Sequence, residues 1–453
     1  MKRQLHTRDL TQGTVWKVLI LFFIPIAAGT CIQQLYNAVD GLIVGRFVGT
    51  GALASVGGSS TQIINLLIGF FVAATAGSSV VISQIYGAGR YEDVKNASGC
   101  AISVFALLGL ALTAFGVIAS PAVLALLKTP AETIPGASLY LRIYFLGVPF
   151  ILVLNMESNM LRAVGDSFWP FIFMIVGCIT NIILDIIFVI GFGWGIAGAA
   201  AATVAAQIIN MALLTHRLMK TREDYRLSFR HFQIHRIYLK NILNLGVPAG
   251  AQSSMYSISN MIIQIGVNSL GTVVVASWAM TSKTDGIFWA VSNALGAAIT
   301  SFIGQNLGAG RVDRVRECIK QSLVLAGLIN LFLSAAIMAA AIPLLHILTN
   351  DEAVIQTTFR MMTYFVPFYL IWTVIEVLSA ILRGAGDILR PFLIISLGIC
   401  IFRIIWIVTV FLRFHTLPVL CASYPISWAV TSIAMAIYFR RGKWLDRGEK
   451  IIG

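Results

Sequence analysis

The chain has 453 residues, of which 58% are hydrophobic and only 11% charged, with a formal net charge of +13. An average soluble chain carries roughly a quarter charged residues, and no water-soluble fold buries so large an apolar fraction. The apolar residues fall in blocks of about twenty, enough to cross a hydrocarbon core of roughly 30 Å as a helix, whereas a porin-type barrel would show alternating segments of about ten. Both a soluble fold and a barrel are therefore excluded, and the expected class is an all-α integral membrane protein.

The first predicted span, 15–44, holds Pro25 and ends near Asn37 and Asp40, without the small-residue cleavage pattern of a signal peptide. It is expected to be retained. Proline removes a helical hydrogen bond, so a kink is expected at Pro25. Spans follow at 53–84, 96–119, 137–161 with Glu157 near its inner end, 168–191 with Asn181 and Asp185, and 194–216 with Thr203. After a basic connection come spans at 238–267, 273–303 with Lys283 and Asp285, 318–346, 357–381 with Glu376, 390–412 with Arg403, and 418–439. Five of the six cysteines, Cys31, Cys100, Cys178, Cys318 and Cys400, lie in or beside spans without a C-x-x-C pair, so packing is their expected role and no metal site is expected.

The location of the charge decides its meaning. Of 32 Lys and Arg, 25 fall on the side of the two termini in a twelve-span arrangement and 5 on the other: Arg46, Lys128, Arg142, Arg360 and Arg413. By the positive-inside rule both termini are cytoplasmic, and the basic balance calls for no nucleic-acid partner. The connection from His216 to Lys240 carries seven basic residues and reads as a solvated linker near anionic lipid.

An internal repeat organises the chain. Gln84-Ile-Tyr-Gly-Ala-Gly-Arg90 recurs as Gln305-Asn-Leu-Gly-Ala-Gly-Arg311, and Leu161-Arg-Ala-Val-Gly-Asp166 as Leu382-Arg-Gly-Ala-Gly-Asp387, both at an offset of 221. Val148-Pro-Phe150 matches Val366-Pro-Phe368, and Pro25 matches Pro248, at nearly the same offset. Each unit has an even number of spans, so the halves should relate by an axis along the membrane normal and leave a cleft between lobes that rock against one another. The expected parts are an N-lobe at 1–216, a linker at 217–237, a C-lobe at 238–440 and a basic tail at 441–453. The glycine motifs read as tight cytoplasmic turns whose arginines meet headgroups. Gly193-Trp-Gly195-Ile-Ala-Gly198 fits G-x-G-x-x-G but has no strand before it, so it reads as close helix packing.

Ionisable groups inside a membrane span cost several kcal/mol and ask for a partner or a function. Asp40, Asp185 and Thr203 all fall at the midplane or in the outer half, and Asn181 shares a helix face with Asp185 at i, i+4. Two carboxylates close together in low dielectric do not both stay ionised cheaply: one takes a proton or a cation bridges them. That is what an ion-coupled transporter needs. Asn37, one turn before Asp40, joins the set as a candidate. In the second half Lys283, Asp285, Glu376 and Arg403 balance as two cations and two anions, and are expected to neutralise one another in a structural or gating role. Glu157 is expected at the inner cavity mouth or among headgroups. Met156, Met160, Phe288 and Trp289 suit a permissive apolar cavity, but each alone reads as packing.

Along its whole length the chain resembles the multidrug and toxic compound extrusion (MATE) family. The resemblance rests on Tyr36-Asn-Ala-Val-Asp40-Gly-Leu-Ile-Val-Gly45-Arg46, on the two pairs of repeated segments above, and on Gly193-Trp-Gly-Ile-Ala-Gly-Ala-Ala-Ala-Ala-Thr203. It implies twelve helices in two lobes, and export of lipophilic organic cations in exchange for protons or sodium, in the inner membrane of a prokaryote. Asp40, Asn181, Asp185 and Thr203 match the ion-coupling constellation of the DinF-type branch. The C-lobe acid that NorM-type members use on span 7 has no counterpart here, where Gln252, Ser257, Asn260 and Gln264 stand instead. No cofactor beyond the coupling ion, no metal beyond sodium and no catalytic residue is expected. The expected partners are cationic small molecules and lipid, and the expected state is a monomer. A lipid-linked saccharide flippase of the same superfamily is the alternative, although such a cavity should carry cations for phosphate where this first half carries acids.

Overall fold

A computed structural model describes residues 9–442 and 444–445; the rest of the expected tail lies outside the described residues. Twelve long helices form two lobes of six. The first lobe is α1 (Val15–Val48), α2 (Ser55–Gly87), α3 (Tyr91–Leu126), α4 (Ile134–Ala163), α5 (Phe168–Gly191) and α6 (Gly195–Lys220). The second is α7 (Arg236–Ser269), α8 (Thr272–Gly308), α9 (Val312–Leu348), α10 (Glu352–Gly384), α11 (Leu389–Phe414) and α12 (Leu417–Arg441). No strand occurs among the described residues.

Eleven of these helices are long and apolar enough to cross a membrane, and α7 is the one that is not. Its middle carries Gln252, Ser253, Ser254, Tyr256, Ser257, Ser259, Asn260 and Gln264. A helix this polar is tolerated at membrane depth where it lines a cavity rather than lipid, and Gln252, Ser253, Tyr256, Ser257 and Asn260 do line one. The helices also run past the expected spans at several ends: α9, expected over 318–346, covers Val312–Leu348.

The first helix of each half crosses to the other lobe. Leu10, Val15, Leu19, Phe22, Phe23 and Ile26 are buried in the same apolar core as Phe302, Leu378 and Trp428 of the second lobe. Reciprocally, Ile242 and Leu245 of α7 are buried in the core built by α2 to α6. The chain just before each of these helices is strapped across the other lobe. Arg314 donates to the carbonyls of Gly13 at 2.6 Å and Leu10 at 3.3 Å, and Asn306 donates to Leu10 at 3.1 Å. At the position 221 residues earlier, Asp93 accepts from the Tyr238 hydroxyl at 2.7 Å, and His231 lies 3.5 Å from Glu92. The linker is thus only partly solvated: Tyr225, Leu227 and His231 are buried.

The duplicated glycine motifs do two jobs where one was expected. Gly89 and Gly310, and likewise Gly165 and Gly386, have φ between +68° and +91° and make the tight turns. The preceding glycines Gly87 and Gly308 are needed because the opposite lobe presses its backbone there: a side chain at Gly87 would collide with the Gln305 carbonyl, and one at Gly308 with that of Gln84. The motif arginines are exposed and also hold partners within the protein. Arg90 pairs with Asp93 at 2.6 Å, and Arg311 holds the Thr11 carbonyl at 3.0 Å.

Pro25 lies inside an unbroken helical run from Val15 to Ile43, and Pro149 likewise inside α4, whereas its repeat partner Pro367 sits in a 3-10 turn, Val366–Phe368, that interrupts α10. Gly198 packs on the backbone of Phe188, in line with the reading of its segment as helix packing.

Candidate functional site

The N-lobe site forms where α1, α5 and α6 meet around buried oxygens. Asp185 and Asn181 are almost completely buried one turn apart on α5, and Thr203 faces them from α6. The Asn181 amide, oriented so that its nitrogen meets the carboxylate, donates to Asp185 Oδ2 at 2.9 Å and accepts from the Thr203 N–H at 3.3 Å. Asp40, half-buried on α1, brings its carboxyl within hydrogen-bond reach of that of Asp185. Asp40 Oδ1 and Asp185 Oδ1 are both buried with no donor.

Two facing carboxylates without a donor between them repel strongly unless a proton or a cation joins them. No Lys, Arg or His pairs with either acid among the described residues. The geometry fits a small cation: carboxylate oxygens, an amide and a hydroxyl are hard donors of the kind that hold a proton or sodium. The described residues contain no cluster of three His, Cys, Asp or Glu that could hold a metal ion.

Both acids sit beside an irregular turn. The α-helical part of α5 ends at Asp185 and continues as the π-helical turn Ile186–Gly191, and α1 passes from Ile43 into another, Val44–Val48. Such wide turns recur at functional sites because they re-aim side chains and loosen the hydrogen-bond ladder. No hydropathy pattern announces them.

Asp40, Asn181, Asp185 and Thr203 are brought together, whereas Asn37 is exposed on α1. Three tyrosines that the sequence reading left unassigned complete the wall. The Tyr36 hydroxyl faces Thr203, and Tyr140 and Tyr144 of α4, whose rings lie 5.9 Å apart, stand beside Asp40. Their spacing of four residues was the available signal, since it puts both rings on one helix face.

The C-lobe set does not close on itself as expected. Glu376 pairs with Arg383, two turns further along α10, at 3.0 Å. Arg403 is buried, donates from Nε to Ser427 Oγ at 3.0 Å, and stacks 3.7 Å above the Tyr424 ring. Asp285 faces the Tyr369 hydroxyl, and Lys283 is exposed. Aromatic rings thus take the place of the expected counter-charges. Glu157 reaches neither headgroups nor a cavity mouth: it is buried between α4 and α6 and accepts from Thr215. Of the apolar candidates, Trp289 lines a cavity, whereas Met156, Met160 and Phe288 are core.

Cavities among the described residues include one in the C-lobe and one between the lobes. One, of 580 Å³, is walled by Trp278, Trp289, Trp372, Tyr424 and Trp428 in the C-lobe. The other, of 550 Å³, lies between the lobes and meets Asn159 and Arg162 on one side and Glu376 and Arg383 on the other. Arg162 and Arg383 are equivalent positions of the repeat.

A duplicated six-helix lobe, a cleft with cavities and a buried acid pair define a polytopic membrane transporter. The MatE family model matches residues 25–187 and 248–409, and the chain belongs to that family. Probable multidrug resistance protein YoeA of Bacillus subtilis is 29% identical over 394 residues, covering 85% of each chain. Probable multidrug resistance protein YpnP of the same organism is 28% identical over 96% of this chain and 97% of its own. Among solved structures, an outward-facing multidrug resistance MATE family transporter of the MOP superfamily superposes with a TM-score of 0.89 at 22% identity, covering 99% of this chain and 100% of that one.

Proposed function

We propose that this protein is a secondary active antiporter that exports lipophilic organic cations in exchange for protons or sodium. The observation that carries the reading is the Asp40–Asp185 contact, two carboxyls facing each other with no basic partner. Occupied by a proton or sodium, the pair attracts and α1 stays drawn to α5; emptied, it repels, and α1 is free to move. Because α1 also packs into the C-lobe core, a shift at Asp40 acts on the contact between lobes. In this reading alternating access rocks the lobes about that contact. The relatives named as multidrug resistance proteins support drug export, and the biased distribution of Lys and Arg supports cytoplasmic termini in the plasma membrane. Lipid is the surrounding partner, and the unit is a monomer.

Purified protein in liposomes preloaded with ethidium tests this under an imposed proton gradient or an imposed sodium gradient. Wild type should export under one of the two, with Asp40→Asn and Asp185→Asn inactive. Active variants would move the coupling elsewhere. A wild type inert under both gradients but able to bind lipid-linked saccharide would favour a flippase.

A further inference from the structure

The cavity between the lobes takes no part in the acid pair, yet it holds a charge without a counter-charge. Arg162 reaches it from the end of α4, and its repeat partner Arg383 from the end of α10. Arg383 is held by Glu376, seven residues earlier on the same helix, at 3.0 Å. The residue 221 positions before Glu376 is Asn155, which spends its amide on the Ile151 carbonyl at 2.8 Å. The repeat thus carries the arginine twice and the acid once. Arg162 forms no ion pair among the described residues. Its described hydrogen bond runs from Nη2 to the side-chain oxygen of Asn159 at 2.9 Å, which leaves Nε and Nη1 for a ligand.

No neighbour supplies the missing charge. Glu157 is buried between α4 and α6 and held by Thr215, and Glu376 is the one acid in the cavity wall among the described residues. A guanidinium keeps its proton in proteins, so the charge on Arg162 stands whatever the state of Glu376. An unpaired charge inside a membrane protein is costly and calls for a partner. The rest of the wall is polar and neutral, with amides at Asn65, Gln252, Asn260 and Asn293 and hydroxyls at Ser79 and Ser301. Its one aromatic ring among the described residues is Tyr256. Such a surface repels a lipophilic cation and suits an oxyanion on a hydroxylated body. The guanidinium offers a planar fork of N–H groups to phosphate oxygens, and the amides take hydroxyls.

We propose that the cavity between the lobes binds phosphate monoesters, with the phosphate at Arg162 and the polar body against Asn260 and Asn293. This goes beyond the export reading and does not rest on it. A monoester can reach the cavity free in solution or as a lipid headgroup, and calorimetric titration of purified protein at fixed ionic strength separates the two. Glycerol phosphate is compared with glycerol, and dihexanoyl phosphatidic acid with dihexanoyl phosphatidylcholine. Wild type should bind at least one of the monoesters roughly tenfold more tightly than its control. If both bind, the soluble form suffices; if the lipid alone binds, the membrane is the source. Arg162→Gln should remove the preference. Asn155→Glu should also remove it while keeping the arginine, because it gives Arg162 the partner that Arg383 has. A wild type that prefers neither monoester, or a folded variant of either kind that keeps the preference, overturns the proposal. The comparison on wild type decides even where a variant fails to fold. Monoester binding by a protein that neither gradient drives would sink the antiport reading and leave this site standing, and efflux without monoester binding would do the reverse.

Discussion

Gln84 donates its side-chain amide to the carbonyl of Gly384 at 2.8 Å, and Gln305, its equivalent in the repeat, donates to the carbonyl of Ala163 at 2.7 Å. Each glutamine comes from one lobe and grips the end of a helix in the other. Together with Gly87 and Gly308 they seal the side of the molecule that carries both termini. In the antiport reading proposed above, the lobes would rock only if this seal breaks.

Two buried hydrogen bonds at about 1 kcal/mol each bias the seal by about 2 kcal/mol, a population ratio of roughly thirtyfold. Gln84→Ala with Gln305→Ala should shift the protein toward the opened state by that order. A cysteine introduced at Ser83, buried against Gly304 of the other lobe, would react with a maleimide correspondingly faster in a cysteine-free background. Unchanged labelling would show that the glutamines do not hold the lobes.

Asn181 is the donor that Asp185 Oδ2 depends on. Asn181→Leu keeps the branched outline of the side chain but leaves that oxygen buried without a partner, at a cost of about 1–3 kcal/mol. We expect a lower melting temperature together with a weaker apparent affinity for the coupling ion, at least several-fold. Asn181→Asp would instead add a third carboxylate and should abolish efflux. A variant melting low with an unaltered ion dependence would make Asn181 purely structural.

The lobes and the N-lobe acids were legible in the sequence for different reasons than the C-lobe arrangement was not. Hydropathy and a single offset of 221 define the two halves, because membrane thickness and duplication both leave regular marks. Asp40, Asn181, Asp185 and Thr203 could be grouped because depth along a helix follows from counting rise. Pairing between helices does not follow from counting. Charge balance alone sent Glu376 toward Lys283 or Arg403, whereas the partner is Arg383 on the same helix at 3.0 Å. Arg403 found Tyr424 and Trp428, whose roles as partners depend on how α11 and α12 rotate against each other. Nor does a glycine motif reveal which of its glycines serves a turn and which the opposite lobe.

Burial holds the His231 imidazole below its ordinary pKa of 6.5, against the pull of Glu92 at 3.5 Å. The unfolded strap therefore binds more protons than the docked one. Its docking is favoured above about pH 6.5 and weakens as the pH falls below that value. Amide hydrogen exchange across residues 221–235, corrected for intrinsic rates, should accelerate between about pH 7.5 and about pH 5.5. His231→Gln should flatten the dependence. The opposite trend would mean that the Glu92 contact outweighs burial.

The two straps are equivalent in position but unlike in chemistry, since Arg314 grips backbone carbonyls at Leu10 and Gly13 where Asp93 takes a single tyrosine hydroxyl. Both kinds of bond are charge-assisted, but Arg314 makes two of them where Asp93 takes one. Arg314→Gln should therefore cost more than Tyr238→Phe, about 1–3 kcal/mol against about 1 kcal/mol, and release the segment 9–14 to proteolysis. As the straps share no residue, the double variant should lose the sum of the two within about 0.5 kcal/mol. Melting temperatures in detergent measure both losses. A coupling well above that margin would mean that the straps report on each other through the interface between the lobes, and that releasing one already begins to open the seal at Gln84 and Gln305.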